Sequence, residues 1–162
     1  MHHEHDVTGV SVAILTLSDT RSFTEDRSGQ TIQSLLKPSH RVVYYKVMKD
    51  DPSQLQEQVN AWVRDPLVDV VITNGGTGMS RRDQTHSTIK QLLEKEMIGF
   101  GEQFRQQSFE EIGPKAMLSN AIAGSVEQTS IFSLPGSTNA VQLAMKELIL
   151  PILPHLTGEL RK

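Results

Sequence analysis

Short apolar runs alternate with longer amphipathic stretches along this chain, and that alternation carries most of the expected fold. Val10 to Leu17 (Val-Ser-Val-Ala-Ile-Leu-Thr-Leu) is mostly apolar on both faces of a two-residue period, which predicts a strand buried on both sides. Arg41 to Val47 predicts a second strand, and the β-branched run from Val68 into Asn74 a third. Between the first two, Ser28 is the expected N-cap of a helix through Ile32, Leu35 and Leu36 that Pro38 ends. After the second strand, Asp51 precedes Pro52 and has Gln54 three residues on, which reads as an N-cap. Leu55, Val59, Trp62 and Val63 then form the i, i+4, i+7, i+8 stripe of a helix packed on a sheet.

The second half repeats the pattern. Thr85 is the expected cap of a helix carrying Ile89, Leu92, Leu93 and Met97 inward. Gly99 and Gly101 bracket Phe100, and a further helix through Phe104 and Ile112 stops at Gly113-Pro114, where a short helix through Lys115 to Leu118 begins. Ala121 to Val126 and Thr129 to Leu134 predict two more strands. Val141, Ala144, Met145, Leu148 and Ile152 form a last helical stripe that Pro151 and Pro154 are expected to fray. Strands and helices in this order predict a three-layer α/β/α sandwich with a mostly parallel central sheet. Residues 1–9 read as a flexible tail, in which His2, His3, His5 and Glu4 would be weak metal ligands at most, and residues 10–162 as one domain.

Composition narrows the function classes. With 162 residues, 37% of them apolar and 22% charged, the chain can build a real core and needs no membrane. A net charge of −3 offers no basic footprint, which argues against nucleic acid as a partner. No apolar run is long enough to span a bilayer, no secretory signal pattern precedes the first strand, and there is no cysteine for disulfides or thiolate metal sites. The expected compartment is the cytoplasm.

Candidate chemistry gathers at the expected strand ends: Ser18-Asp19, Asp50, Gly75 to Asp83, and Pro135 to Asn139. In parallel α/β sheets ligands bind outside the carboxyl ends of the strands. Gly75-Gly76-Thr77-Gly78 places three glycines within four residues, directly after a buried strand. Successive backbone N–H groups in such a turn form an anion seat, Arg81 and Arg82 can offset phosphate charge, and Asp83 is a hard ligand suited to Mg²⁺. Neither the Walker pattern G-x-x-x-x-G-K-[ST] nor the dinucleotide G-x-G-x-x-G spacing occurs here. Asp51 has a capping duty while Asp50 has none, so Asp50 is the freer residue for chemistry. Ser137 serves equally as a helix cap or as an anion contact. Aspartates at two strand ends beside a phosphate seat suggest metal-assisted phosphoryl or nucleotidyl transfer.

These residues resemble the MogA/MoaB family of molybdopterin adenylyltransferases, related to the G domains of gephyrin and plant Cnx proteins. The likeness rests on Ile14 to Asp19, Asp50, Gly75 to Gly78 with Arg82-Asp83, and Pro135-Gly136. Gly99 to Glu102 and Ala116 to Ser119 through Ala123-Gly124 extend it over nearly the whole chain after residue 10, and among bacterial branches it looks closest to MoaB. The resemblance implies the family's fold and the transfer of AMP from ATP to the terminal phosphate of molybdopterin, with Mg²⁺ present and pyrophosphate released. It implies that Asp50 and Asp83 are the two essential acids, one or both of them holding Mg²⁺. Nucleotide or molybdopterin would lie against Ser18, Asp19, Asn74, Gly75, Gly76, Thr77, Gly78, Arg81, Arg82, Pro135, Gly136, Ser137 and Asn139. It also implies a homo-oligomer, trimer or hexamer. Two positions depart from the usual pattern: Asn74 stands where many relatives have a hydroxyl or apolar residue, and Ser137-Thr138 where many have Asn-Pro or Gln-Pro. A molybdopterin carrier that does not use ATP is the alternative, and a nucleotide-dependent transferase with another acceptor is a third reading.

Overall fold

The computed structural model describes residues 7–162; the histidines and glutamate of the first five positions lie outside the described residues. Six strands, β1 (Ser11–Leu17), β2 (Arg41–Met48), β3 (Val70–Asn74), β4 (Lys95–Glu96), β5 (Ile122–Val126) and β6 (Thr129–Leu134), form one sheet in the order β2-β1-β3-β6-β5-β4. β1 runs parallel to β2 and β3, and β3 parallel to β6. β5 is antiparallel to both β6 and β4, so the sheet is mostly parallel, as the sequence pattern predicts. The helices are α1 (Arg27–Leu36), α2 (Pro52–Val63), α3 (Thr85–Leu92), α4 (Ile98–Ile112), α5 (Thr138–Leu143) and α6 (Leu150–Leu160). A 3-10 turn spans Gly113–Leu118, and a π segment, Ala144–Ile149, joins α5 to α6.

The two faces of the sheet carry separate cores. On one, Val12, Ile14, Val70, Ile72, Phe132 and Leu134 pack under α1, α4 and the helical run from α5 to α6, through Ile32, Leu36, Phe104, Val141, Met145, Ile149 and Leu153. On the other, Ala13, Leu15, Leu17, Val71 and Ile131 pack under α2 and α3, through Leu55, Val59, Trp62 and Ile89. Successive residues of β1 therefore serve opposite cores, which is why that strand is apolar throughout.

Element ends depart from the sequence expectation in instructive ways. Asp26, not Ser28, caps α1, its carboxylate accepting from the Gly29 N–H at 3.1 Å; Ser28 lies inside the first turn. Gln84 precedes α3, and Thr85 is its first helical residue, with its hydroxyl turned to Asp50 instead of the helix. Met97 does not extend α3, because the chain leaves that helix after Leu92 and pairs Lys95–Glu96 with β5. Gly99 and Gly101 lie within α4. Pro151 and Pro154 do not end the last helix: Pro151 stands in the first turn of α6, where a missing N–H costs little, and Pro154 lies inside α6, which runs on to Leu160.

Asp51 behaves as its setting dictates, accepting from the Ser53 N–H at 2.9 Å and the Gln54 N–H at 3.2 Å with Pro52 at the first helical position. Asp51→Ala is expected to cost about 1 kcal/mol in urea unfolding through loss of this cap, without changing ligand binding.

Candidate functional site

Where β1, β3 and β6 end, the sheet opens into a cleft of about 340 Å³, lined by Leu17, Ser18, Arg21, Gly75, Gly76, Thr77, Gly78, Asp83, Ser119, Pro135 and Gly136. The strand order reverses here, since β1 leads to β2 on one side while β3 lies on the other. The volume suits a small ligand.

The turn after β3 shapes the cleft. Gly75 and Gly76 both take positive φ, at 101° and 71°. A side chain at Gly75 would drive into the Leu17 carbonyl, and one at Gly76 into the Thr85 hydroxyl and the Asp50 carboxylate. The turn is fastened by Gly75 N–H donating to the Leu134 carbonyl at 2.9 Å and Thr85 N–H donating to the Gly76 carbonyl at 3.1 Å. Among the described residues, the N–H groups of Gly76, Thr77 and Gly78 have no backbone acceptor. Three amides of cleft-lining residues are thus available to an anion.

Two carboxylates bracket this turn. Asp83 lines the cleft and lies against Gly78, where an added Cβ would come within 2.8 Å of its Oδ2. It is held by the Ser80 N–H donating to Oδ2 at 3.1 Å. Asp50 packs behind Gly76 and accepts from the Thr85 hydroxyl at 3.3 Å. Burial pushes the Asp50 carboxyl above its ordinary value; Asp19 and Asp83 add to the shift, while Thr85 and the Gln84 backbone oppose it. Asp19 is exposed and accepts from the Asp50 N–H at 3.4 Å. Three acids thus share one rim, yet among the described residues no group of three or more His, Asp or Glu converges as a complete metal site. Mg²⁺ fits such a donor set because it takes one or two carboxylates and completes its shell with water and substrate phosphates.

Ser18, Gly75, Gly76, Thr77, Gly78, Asp83, Pro135 and Gly136 therefore meet in one cleft. Seven other expected residues do not line it, Asp50 lying behind Gly76 and Asp19 against the Asp50 N–H. Asn74 is fully buried, donating to Thr16 Oγ1 at 2.9 Å and accepting from Ser28 Oγ at 2.7 Å, so its amide supports the floor and is closed to a ligand. Arg81 and Arg82 stand at the exposed tip of the loop that the Thr85-to-Gly76 bond closes, outside the cleft lining. Ser137 caps α5, accepting from the Ala140 N–H at 3.2 Å. Asn139, the second residue of α5, lines a separate surface cleft with Glu111 and Lys146. The sequence reading missed Arg21 and Ser119 in the lining and Thr85 on Asp50. Arg21 stood two residues beyond Asp19 at a strand end already marked, and position was its only signal.

Residues 13–155 match a family model described as a probable molybdopterin binding domain. Molybdenum cofactor biosynthesis protein B of Bacillus cereus is 49% identical over 155 residues, covering 94% of this chain and 92% of that protein. A crystal structure of a molybdenum cofactor biosynthesis protein B superposes with a TM-score of 0.92 at 49% identity, over 94% of this chain and 96% of the other. The tungsten cofactor synthesizing protein MoaB from Pyrococcus furiosus gives a TM-score of 0.85 at 36% identity, over 95% and 98% of the two chains.

Gly75→Ala is expected to destabilise the fold by about 2 kcal/mol or more in urea unfolding, because the side chain meets a backbone carbonyl in a strained conformation. Asp50→Asn tests the carboxylate's environment. A raised folded-state pKa contributes stability at low pH that is lost as pH rises through the raised value. The unliganded Asp50→Asn protein should therefore gain stability over the natural chain at neutral pH. In thermal melts that advantage should shrink as pH falls through the carboxylate range.

Proposed function

This chain belongs to the molybdopterin-binding domain family that includes MoaB and MogA, and on that premise we propose that it adenylylates molybdopterin. In this reading a terminal phosphate oxygen of molybdopterin attacks the α-phosphorus of ATP. A new P–O–P bond forms, the bond to the β-phosphate oxygen breaks, and pyrophosphate leaves with the electron pair. The nucleophile is already an anion, so no general base is required; the difficulty is bringing two polyanions together. The observation that carries the reading is the pair of carboxylates, Asp50 and Asp83, set against Gly76 and Gly78 of one amide-lined turn.

Each feature then has a role. The N–H groups of Gly76 to Gly78 would hold phosphate oxygens in a fixed polar seat, which needs no rearrangement as charge shifts toward pyrophosphate. Asp50 and Asp83 are the residues that would hold Mg²⁺, which neutralises charge between nucleotide phosphates and leaving group. The raised pKa of Asp50 fits this assignment, since its charge is poorly compensated until a cation arrives. Among the described residues no helix is long and apolar enough to cross a membrane, and we place the activity in the cytoplasm. Ile112, Met117 and Leu118, all more than half exposed at the end of α4 and the turn after it, support self-association, which we propose gives a trimer or hexamer.

Purified chain incubated with molybdopterin, ATP and Mg²⁺ should release pyrophosphate. Asp83→Asn and Asp50→Asn should each lower the rate by about 100-fold or more, as loss of a charge-stabilising group does. Tight molybdopterin binding with no pyrophosphate release by the natural chain would replace the enzyme with a carrier.

A further inference from the structure

Arg21 is the one cation among the residues lining the cleft, and its guanidinium is fixed on three sides. Nη2 donates to the Gly136 carbonyl at 3.1 Å, across the gap between the β1 and β6 ends. Nη1 donates to Ser28 Oγ at 2.8 Å and faces Asp26 Oδ1 at 3.5 Å, at the N-terminus of α1. These contacts engage three of its five N–H donors. Nε–H and the second Nη2–H are left over on a side chain that remains about a third exposed, at 36%.

The shell behind it is unusually complete. Asp26 is fully buried and accepts from the Thr16 hydroxyl, the Tyr45 hydroxyl and the Gly29 N–H. Burial, and then the Asp26 hydrogen bond, push the Tyr45 phenol far above its ordinary value, so Tyr45 remains a donor. Asn74 closes the ring by donating to Thr16 and accepting from Ser28. The charge of Asp26 is thus divided among several donors, and its pairing with Arg21 at 3.5 Å is loose. The arrangement locks the guanidinium's position at the cleft lining while leaving two of its N–H donors without a protein acceptor. A planar fork held this way is suited to bidentate contact with a phosphate.

We propose that Arg21 is the phosphate clamp of this cleft and that buried Asp26 is its positioning residue. The proposal rests on the adenylyl-transfer reading only for which phosphate is clamped, since ATP and molybdopterin both carry one. It also accounts for Asn74, whose buried amide belongs to the shell that fixes the clamp.

The test uses the full chain without Mg²⁺, with inorganic pyrophosphate as the probe, read by isothermal titration at several salt concentrations. Arg21→Ala should weaken pyrophosphate binding about ten-fold or more and flatten its salt dependence. Arg21→Lys should recover only part of the loss, because an ammonium cannot fork. Asp26→Asn should weaken binding less than Arg21→Ala, and no further when combined with it. If Arg21→Ala does not fold, Arg21→Lys and Arg21→Gln give the same ranking. Pyrophosphate affinity within two-fold of the natural chain in a folded Arg21→Ala protein overturns the proposal. In turnover assays, separate KM values for ATP and molybdopterin tell which phosphate is held. Arg21-dependent pyrophosphate binding by a chain with no turnover would keep the clamp and refute the adenylyltransferase. Turnover unaffected by Arg21→Ala would refute the clamp alone.

Discussion

The site depends on the backbone of Gly75 and Gly76. Both are left-handed, and the chain turns off β3 so tightly that Gly75 touches the end of β1 while Gly76 leaves room for Asp50 and Thr85. No residue with a side chain meets both demands, and this fixes where the two acids stand. With a wider turn, Asp50, anchored at the end of β2, and Asp83, anchored in the loop before α3, would not both pack against it. Backbone sterics here decide which charges become neighbours.

The same turn explains which charges stay apart. Because Thr85 N–H bonds back to the Gly76 carbonyl, the intervening residues form a loop with Arg81 and Arg82 at its exposed tip. The cleft takes its cation instead from Arg21, reached from β1 and fixed between α1 and the Pro135-Gly136 turn. The ring of buried Thr16, Asp26, Ser28 and Asn74 with half-buried Tyr45 joins β1, β2 and β3 to the start of α1. Most of the polar groups gathered beneath the cleft therefore organise one guanidinium and one helix end.

Much of this was legible in the sequence where local physics settled the outcome. Every predicted strand is present, because apolar runs on a two-residue period have few other solutions in a chain of this size. Asp51 reads as a cap from Pro52 and Gln54 alone, and it is one. What local reasoning missed depends on partners distant in sequence. The cap of α1 is Asp26 because that carboxylate also serves Thr16 and Tyr45, on two different strands, which no window around residue 28 reveals. β4, two residues long, exists only because β5 offers it an edge. Arg81 and Arg82 closely follow the glycines in sequence, yet adjacency along a tight loop says little about direction.

The central claim is that the Gly75 to Gly78 turn, with Asp50, Asp83 and Arg21 around it, receives the phosphates of a nucleotide. The most direct measurement is a crystal structure of the chain with Mg²⁺ and a non-hydrolysable ATP analogue. The account predicts phosphates against the amides of Gly76 to Gly78, Mg²⁺ on one or both aspartates, and Arg21 in contact with a phosphate oxygen. An analogue bound at another surface, or one whose phosphates point away from both aspartates, would contradict it.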